Sequence, residues 1–250
     1  MNNLKFVFLL AFSSMISFAQ DTTAVLQPHI DQNLKFKYEA LIIPAALIGF
    51  GVIGLESESI KSLNSNTRDE IKEHIDEKIS IDDFSQYAPF VSVYALNAFG
   101  IEGKHNFKDR TIILTTAYLI MGGTVGAIKS TGNVVRPDGT SSNSFPSGHT
   151  ATAFMGAEFL YQEYKDVSIW YGISGYAVAT GTGFFRMYNN RHWLTDVAAG
   201  AGIGILSTKI AYWVHPLIKR TIFKDKDNST RLVVPFYNGK DYGLGMLMKF

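Results

Sequence analysis

Apolar and polar positions alternate in blocks along this chain of 250 residues. The apolar runs cover residues 41–55, 88–100, 111–128, 150–161, 168–185 and 197–214, and shorter polar stretches separate them. The run at 111–128 carries no charge, and its length is close to the roughly 20 residues with which a helix crosses a bilayer. The pattern predicts an all-α bundle of about six apolar helices that is embedded in a membrane.

The first apolar run, at 41–55, is marginal for a membrane span. It is short and carries Pro44 near its start. We expect a helix that belongs to the bundle or lies at the interface without crossing. The last run carries Gly200 and Gly204 at a spacing that lets helices approach closely. Lys209 interrupts that run, which predicts that one face of the helix meets protein or an interface.

The N-terminus has the pattern of a secretory signal peptide at residues 1–19. Lys5 supplies the positive charge, residues 6–16 are apolar, and a small-residue cleavage site ends at Ala19. An uncleaved anchor shares these features and remains an alternative. Residues 20–39 are polar and predict a surface arm. The helical bundle is expected at 40–220, before a C-terminal tail at 221–250.

Two short apolar segments in that tail flank Asn238-Gly239, and Asn-Gly between such segments favours a small β-hairpin. Nearer the N-terminus, Thr67 and Glu70 have the spacing of a capping box that opens a helix. Ile71, Ile75 and Ile79 would form the buried stripe of that helix.

The neighbouring carboxylates Asp82 and Asp83 could in principle hold a metal ion. No other metal-binding residue type lies near them in the sequence. We therefore expect a role at a helix end or in a turn.

Composition narrows the class of protein. A net charge of +1 gives no basic surface for nucleic acid. With 0 cysteines, disulfides and zinc–thiolate sites are excluded. The hydrophobic fraction of 46% favours membrane contact. The mean hydropathy of only +0.06 keeps a soluble exported bundle open.

Three short motifs between residues 129 and 196 carry the candidate chemistry. They supply Lys129, Arg136 and Arg186 as cations for a dianionic phosphate, and an Arg fork matches phosphate oxygens with paired hydrogen bonds. Each motif alone is a weak to moderate signal. Their fixed spacing to two histidines, His149 and His192, favours a phosphate site over unrelated surface cations.

The middle motif predicts an anion site at a helix N-terminus. Ser144 is a candidate cap, and Pro146 suits the first turn. Ser147 and Gly148 would then present free backbone N–H groups to an anion, with Gly148 allowing close approach.

The last motif places a histidine and a carboxylate four residues apart. If Asn189 or Asn190 caps the last helix, His192 falls in its first turn and shares a face with Asp196. The carboxylate would fix the imidazole tautomer, which is how a catalytic triad orients its base.

Together and in this order, the three motifs resemble the signature of the phosphatidic acid phosphatase type 2 (PAP2) family, which shares its site with vanadium-dependent haloperoxidases. The resemblance implies that His192 is the nucleophile, that Asp196 orients it, and that His149 is the general acid and then the base. It implies phosphate binding by Lys129, Arg136, Ser147, Gly148 and Arg186. One departure is Phe185, where the family usually has Ser.

The resemblance implies a metal-independent phosphoric monoester hydrolase that acts on a lipid or isoprenoid phosphate, or pyrophosphate, through a phosphohistidine. No cofactor and no nucleic-acid partner are expected; the partners are the membrane and the lipid substrate. A soluble periplasmic acid phosphatase, a vanadate-dependent haloperoxidase and an inactive membrane scaffold are the alternatives.

The basic loops at 101–110 and after 215 indicate the orientation. Lys and Arg accumulate on the cytoplasmic side of membrane proteins. If the runs from 88 onward alternate across an inner membrane, the catalytic loops at 129–148 and 185–196 face the periplasm.

Overall fold

The structure is a computed structural model that describes residues 38–73, 80–222, 231–237 and 242–248. These residues form eight helices and two strands: α1 (Glu39–Ile53), α2 (Glu58–Glu73), α3 (Ile81–Ser85), α4 (Ala88–Ala98), α5 (Phe107–Thr131), α6 (Gly148–Tyr164), α7 (Ile169–Tyr188), α8 (Leu194–Ile222), β1 (Arg231–Tyr237) and β2 (Tyr242–Met248). The prediction of an all-α bundle is confirmed. The predicted signal peptide lies outside the described residues.

Helix α6 is the centre of the bundle and packs against α4, α7 and α8. Its small side chains allow this: Ala153 and Ala157 form a fully buried cluster with Ala179 of α7, which Phe154 and Tyr176 cover. Dense packing of this kind leaves few voids and holds the helix ends in fixed positions.

The close approach predicted for Gly200 and Gly204 is confirmed. A Cβ atom on Gly200 would stand 2.5 Å from the backbone oxygen of Ser147, and one on Gly204 would collide with the backbone of Ala151. These glycines bring the N-terminal half of α8 against the first turns of α6.

Two described helices, Phe107–Thr131 and Leu194–Thr221, are long and apolar enough to cross a membrane. Helix α4 has 11 residues and is too short for a span. Among the described helices formed by the apolar runs from residue 88 onward, crossing is therefore supported only for α5 and α8. The chain bends by 95° between α1 and α2, so the two helices are nearly perpendicular.

The capping box predicted at Thr67 and Glu70 is wrong. Helix α2 begins at Glu58, so both residues lie in its interior. The spacing of a capping box also occurs inside helices, and only the preceding backbone distinguishes the two cases. Ile75 and Ile79 lie outside the described residues.

Strands β1 and β2 pair antiparallel, with Arg231 opposite Met248 and Tyr237 opposite Tyr242. The Asn-Gly turn expected between them lies outside the described residues.

Two buried polar clusters join the helices away from the three motifs. Glu163 of α6 accepts hydrogen bonds from the His105 backbone and from the Tyr212 hydroxyl, at 3.0 and 2.6 Å. Lys209 of α8 contacts Glu158 of α6 at 2.7 Å, which confirms that its face meets protein.

Candidate active site

The three motifs meet at one end of the bundle because successive helices run in opposite directions. The C-terminal ends of α5 and α7 therefore lie beside the N-terminal ends of α6 and α8. Four side chains of the motifs therefore lie at this end of the bundle: Lys129, Arg186, His149 and Asp196. The buried polar cluster at Glu163 lies at the other end.

The loop between α5 and α6 is tied to Lys129. Its ammonium donates to the backbone oxygens of Asn143 and Ser144, at 2.5 and 3.4 Å. The backbone N–H of Ser144 donates to the oxygen of Val134 at 2.9 Å. These bonds hold the loop that carries Arg136 close to the ends of the helices.

The N-cap of α6 lies three residues later than the sequence predicts. Ser147, and not Ser144, is the N-cap, and its hydroxyl accepts from the backbone N–H of Thr150 at 3.4 Å. The expectation of a free backbone N–H at Ser147 is also wrong, because that group donates to the backbone oxygen of Asp196 at 3.0 Å. Gly148 keeps an open space, since a Cβ there would meet only Val125 at 3.9 Å.

A tight turn between α7 and α8 positions His192. Asn190 adopts a positive φ of 58°, which Asn tolerates better than most residues. The backbone N–H groups of Arg191 and His192 both donate to the Arg186 oxygen, at 3.0 and 3.3 Å. The prediction of an Asn cap for α8 is wrong, because Asn189 ends α7 and α8 begins only at Leu194.

His192 nevertheless meets Asp196 as predicted. Its Nδ1 lies 3.4 Å from Asp196 Oδ2, and the same oxygen accepts from the Ser144 hydroxyl and from the Trp193 backbone N–H at 2.9 Å. His192 is 3% exposed and Asp196 is 0% exposed. Burial lowers the pKa of His192 from 6.5 to about 4, although the interaction with Asp196 raises it.

The predicted cations surround this pair. Lys129 interacts electrostatically with Arg136, Asp196 and Arg186, and His192 interacts with Arg186 and Lys129. The Nε atoms of Arg136 and Arg186 are buried without a hydrogen-bond partner in the described part of the chain. Two unsatisfied guanidinium donors beside a buried imidazole are suited to an anion that brings several oxygens.

The sequence analysis did not predict the contacts that Asp82 and Asp83 make with Arg186 and His149. Asp82 binds Arg186 Nη1 at 2.5 Å, and Asp83 binds His149 Nε2 at 2.9 Å. They do lie in the first turn of a helix, as expected, but that helix faces the site. A single sequence cannot predict the contact between Asp83 and His149, because that contact depends on how α3 packs against α6 and α7.

Two neighbours of the site have structural roles. Asp138 accepts from the backbone and hydroxyl of Thr140, as a turn residue does, and pairs with Arg191 at 3.1 Å. Phe185 contacts the ring of Tyr188, so it packs where the family usually has a hydroxyl. Within the described residues, no three His, Asp or Glu side chains are grouped to hold a metal ion.

Helix α2 covers the turn that carries His192. Arg68 Nε donates to the Asn190 side chain at 2.9 Å, and Asn64 Nδ2 donates to Thr195 at 3.0 Å. A shallow pocket between α2 and the turn includes His192 and Trp193 in its lining. Helix α2 therefore stabilises the turn from the outside.

Two curated proteins are similar to parts of this chain. The chain is 43% identical over 141 residues to a lipid A 1-phosphatase of Porphyromonas gingivalis, which covers 56% of the chain and 32% of that protein. It is 34% identical over 74 residues to the bacitracin transport permease protein BcrC of Bacillus licheniformis, covering 30% of the chain and 34% of that protein. The chain spans about a third of the length of these curated relatives.

Two solved structures are similar in outline. Aquifex aeolicus LpxE gives a TM-score of 0.47 at 25% identity, over 60% of this chain and 94% of that one. The PAP2 type phosphatidylglycerolphosphate phosphatase of Bacillus subtilis gives 0.44 at 20% identity, over 72% and 98%. The relation to a family rests on sequence. Residues 110–220, which include all three motifs, match the PAP2 superfamily.

Proposed function

We propose that this protein is a phosphatase that removes phosphate from a membrane lipid through a phosphohistidine intermediate. The observation that supports it most is the set of three cations around a buried imidazole whose Nδ1 faces a carboxylate. Cations alone would bind an anion. An oriented nucleophile beside those cations can also attack the phosphorus of the bound anion.

Binding of the phosphate comes first. Arg136 and Arg186 each keep a buried Nε that can donate to a phosphate oxygen, and Lys129 adds a third positive charge. Gly148 has open space beside its backbone and contributes the N–H at the start of α6. The backbone N–H of Ser147 already has a partner, so Ser147 acts in this scheme as the cap that shapes the turn.

His192 then attacks phosphorus with Nε2. Its Nδ1 faces Asp196, and its low pKa of about 4 keeps the ring neutral and nucleophilic at physiological pH. The N–P bond forms as the P–O bond to the lipid breaks. His149 gives a proton to the departing oxygen, since a lipid alkoxide is too basic to leave unprotonated.

Hydrolysis of the phosphohistidine completes the cycle. Neutral His149 takes a proton from water, the hydroxide attacks phosphorus, and the N–P bond breaks to release inorganic phosphate and neutral His192. The guanidinium groups stabilise the charge on the equatorial oxygens in both steps.

The membrane side of the proposal rests on α5 and α8, the two helices that can span. Lys104, Lys108, Lys219 and Arg220 lie at the end of the bundle opposite the site, which favours a periplasmic active site by the positive-inside rule. Arg110 does not add to this count, because it is 1% exposed and pairs with Glu163. Cysteines introduced at Thr140 and Lys104 test the orientation: in spheroplasts, an impermeant thiol reagent should label only the first.

Lipid A 1-phosphate is the first substrate to test, given the 43% identity to a lipid A 1-phosphatase over 141 residues. Phosphatidate, phosphatidylglycerophosphate and undecaprenyl pyrophosphate complete the panel. Purified protein should release inorganic phosphate from at least one of them. Absence of release from all four lipids and from p-nitrophenyl phosphate would contradict the proposal.

The same assay tests the metal-independent mechanism. Activity should survive EDTA and be inhibited by vanadate, which mimics five-coordinate phosphorus. Loss on chelation with recovery on adding a divalent ion would contradict the scheme. Halide oxidation by the vanadate-loaded protein would favour a haloperoxidase, and full activity in the soluble fraction would favour the soluble acid phosphatase.

A further inference from the structure

Helix α3 brings two carboxylates to the site from outside the three motifs and outside the 110–220 match. Asp82 is 1% exposed, and it binds Arg186 Nη1 at 2.5 Å and the Asn189 amide at 3.0 Å. Asp83 is the more exposed of the two and binds His149 Nε2 at 2.9 Å. Each carboxylate therefore contacts a side chain to which the proposed function gives a role in phosphate chemistry.

The position of α3 is set by its own contacts. Ser85 shares a 2.8 Å hydrogen bond with Thr182 of α7, one turn before Arg186. The Gln86 side chain donates to the backbone oxygen of Asp83 at 2.9 Å. The Ser85 bond holds α3 against α7, and the Gln86 bond fixes the backbone at Asp83. Asp83 therefore faces His149.

We propose, on the basis of the proposed function, that Asp83 is the positioning residue of the general acid His149. Asp83 and His149 then form a second histidine–aspartate pair, matching the pair that His192 forms with Asp196. The contact occupies Nε2, so Nδ1 is the nitrogen that donates to the leaving oxygen. Asp83 also stabilises the protonated imidazole that this donation requires.

The charges around His149 oppose each other. Burial and then the Arg186 charge lower the pKa of His149 from its ordinary value of 6.5, while the hydrogen bond and charge of Asp83, and the charge of Asp82, raise it. Loss of the Asp83 charge therefore leaves burial and Arg186 less opposed. His149 then loses its proton at a lower pH and is less often charged when substrate arrives.

Exposure makes Asp83 the better of the two acids for mutation. The Asp83 side chain is 55% exposed, and an exposed ion pair contributes little to folding stability. Removing the Asp82 carboxylate would leave the buried charge of Arg186 uncompensated and would destabilise the fold. Asp83→Asn is therefore the informative variant, and Asp166→Asn, at an exposed position after α6, is its charge-matched control.

The first test compares leaving groups. Asp83→Asn should lose about tenfold or more in turnover of a short-chain phosphatidate but only a few-fold on p-nitrophenyl phosphate, because nitrophenolate leaves without a proton. In a His149→Ala background the same change should have no further effect. Equal losses on both substrates, or losses no larger than those of Asp166→Asn, would overturn the proposal.

The second test measures the protonation of His149 directly and needs no turnover. Diethyl pyrocarbonate acylates neutral imidazole, so the pH of half-maximal modification at His149, followed by mass spectrometry, reports its pKa. Asp83→Asn should lower that pH, and Asp166→Asn should leave it unchanged. An unchanged midpoint would contradict the pair. A wild-type protein without phosphatase activity would instead contradict the proposed function, and the modification result would still test the contact.

Discussion

The two histidine–aspartate pairs at this end of the bundle differ in burial and in origin. The His192–Asp196 pair is almost sealed from solvent, with side-chain exposures of 2% and 0%. The His149–Asp83 pair is open, at 31% and 55%. Four residues separate the partners of the first pair, whereas the second joins α6 to a distant short helix.

This difference suits the two roles that we propose. A nucleophile must be neutral, and burial keeps the His192 ring neutral far below pH 7. An acid that exchanges protons with substrate and water needs access to solvent and a carboxylate to stabilise its charged form. Burial thus serves the first histidine, and partial exposure serves the second.

The largest effect is expected from His192→Ala, which should abolish turnover of both lipid phosphates and p-nitrophenyl phosphate. The proposed mechanism uses His192 as the nucleophile for every substrate. His215→Ala is the matched control, since His215 is also buried and lies 3.4 Å from Asp109 at the other end of the bundle. It should retain activity if it folds. Residual lipid hydrolysis by His192→Ala near the wild-type rate would exclude His192 as the nucleophile.

Asp196→Asn should cost slightly less, on the order of a thousand- to ten-thousand-fold in kcat, as the loss of an orienting carboxylate does in a catalytic triad. The amide can donate to Nδ1 and so favour the wrong tautomer. Both substrates should suffer equally, because His192 is the proposed nucleophile towards phosphorus in both, whatever the leaving group. A loss confined to lipid phosphates would place Asp196 with the acid instead.

His149→Ala should separate the substrates. We expect a loss of about a hundred- to ten-thousand-fold on a lipid phosphate and far less on p-nitrophenyl phosphate, provided that formation of the phosphoenzyme limits the rate. Steady-state kinetics on both substrates measure it. Equal losses would mean that His149 acts mainly in the later attack by water or in binding phosphate.

The smallest expected effect is a shift in the pH dependence of activity. His192 must be neutral, and its pKa is lowered to about 4, so activity should fall only as the pH drops towards that value. His149 must be protonated, and its pKa is lowered from 6.5, so activity should fall again as the pH rises through that pKa. The profile of kcat/KM should therefore be a bell with an acidic optimum. Asp83→Asn should shift its alkaline limb to lower pH and leave the acid limb in place.

The helices were predictable because long apolar runs must be buried or face lipid, and each run from residue 88 onward became one helix. The exact ends of the helices were less predictable. Ser144 and Ser147 are equally good caps by residue type, and only the fold places the Ser144 hydroxyl on Asp196 and leaves Ser147 to cap α6. Asn190 was expected to start a helix and instead supports a left-handed turn.

The sequence by itself predicted which residues bind and attack a phosphate, because the motifs are defined by residue types at fixed spacings along the chain. The approach of α6 to α8 was also implicit in Gly200 and Gly204. Only the tertiary structure decided that Asp83 meets His149 and Asp82 meets Arg186. Those contacts join residues 66 and 104 positions apart, and they exist because α3 packs against α6 and α7.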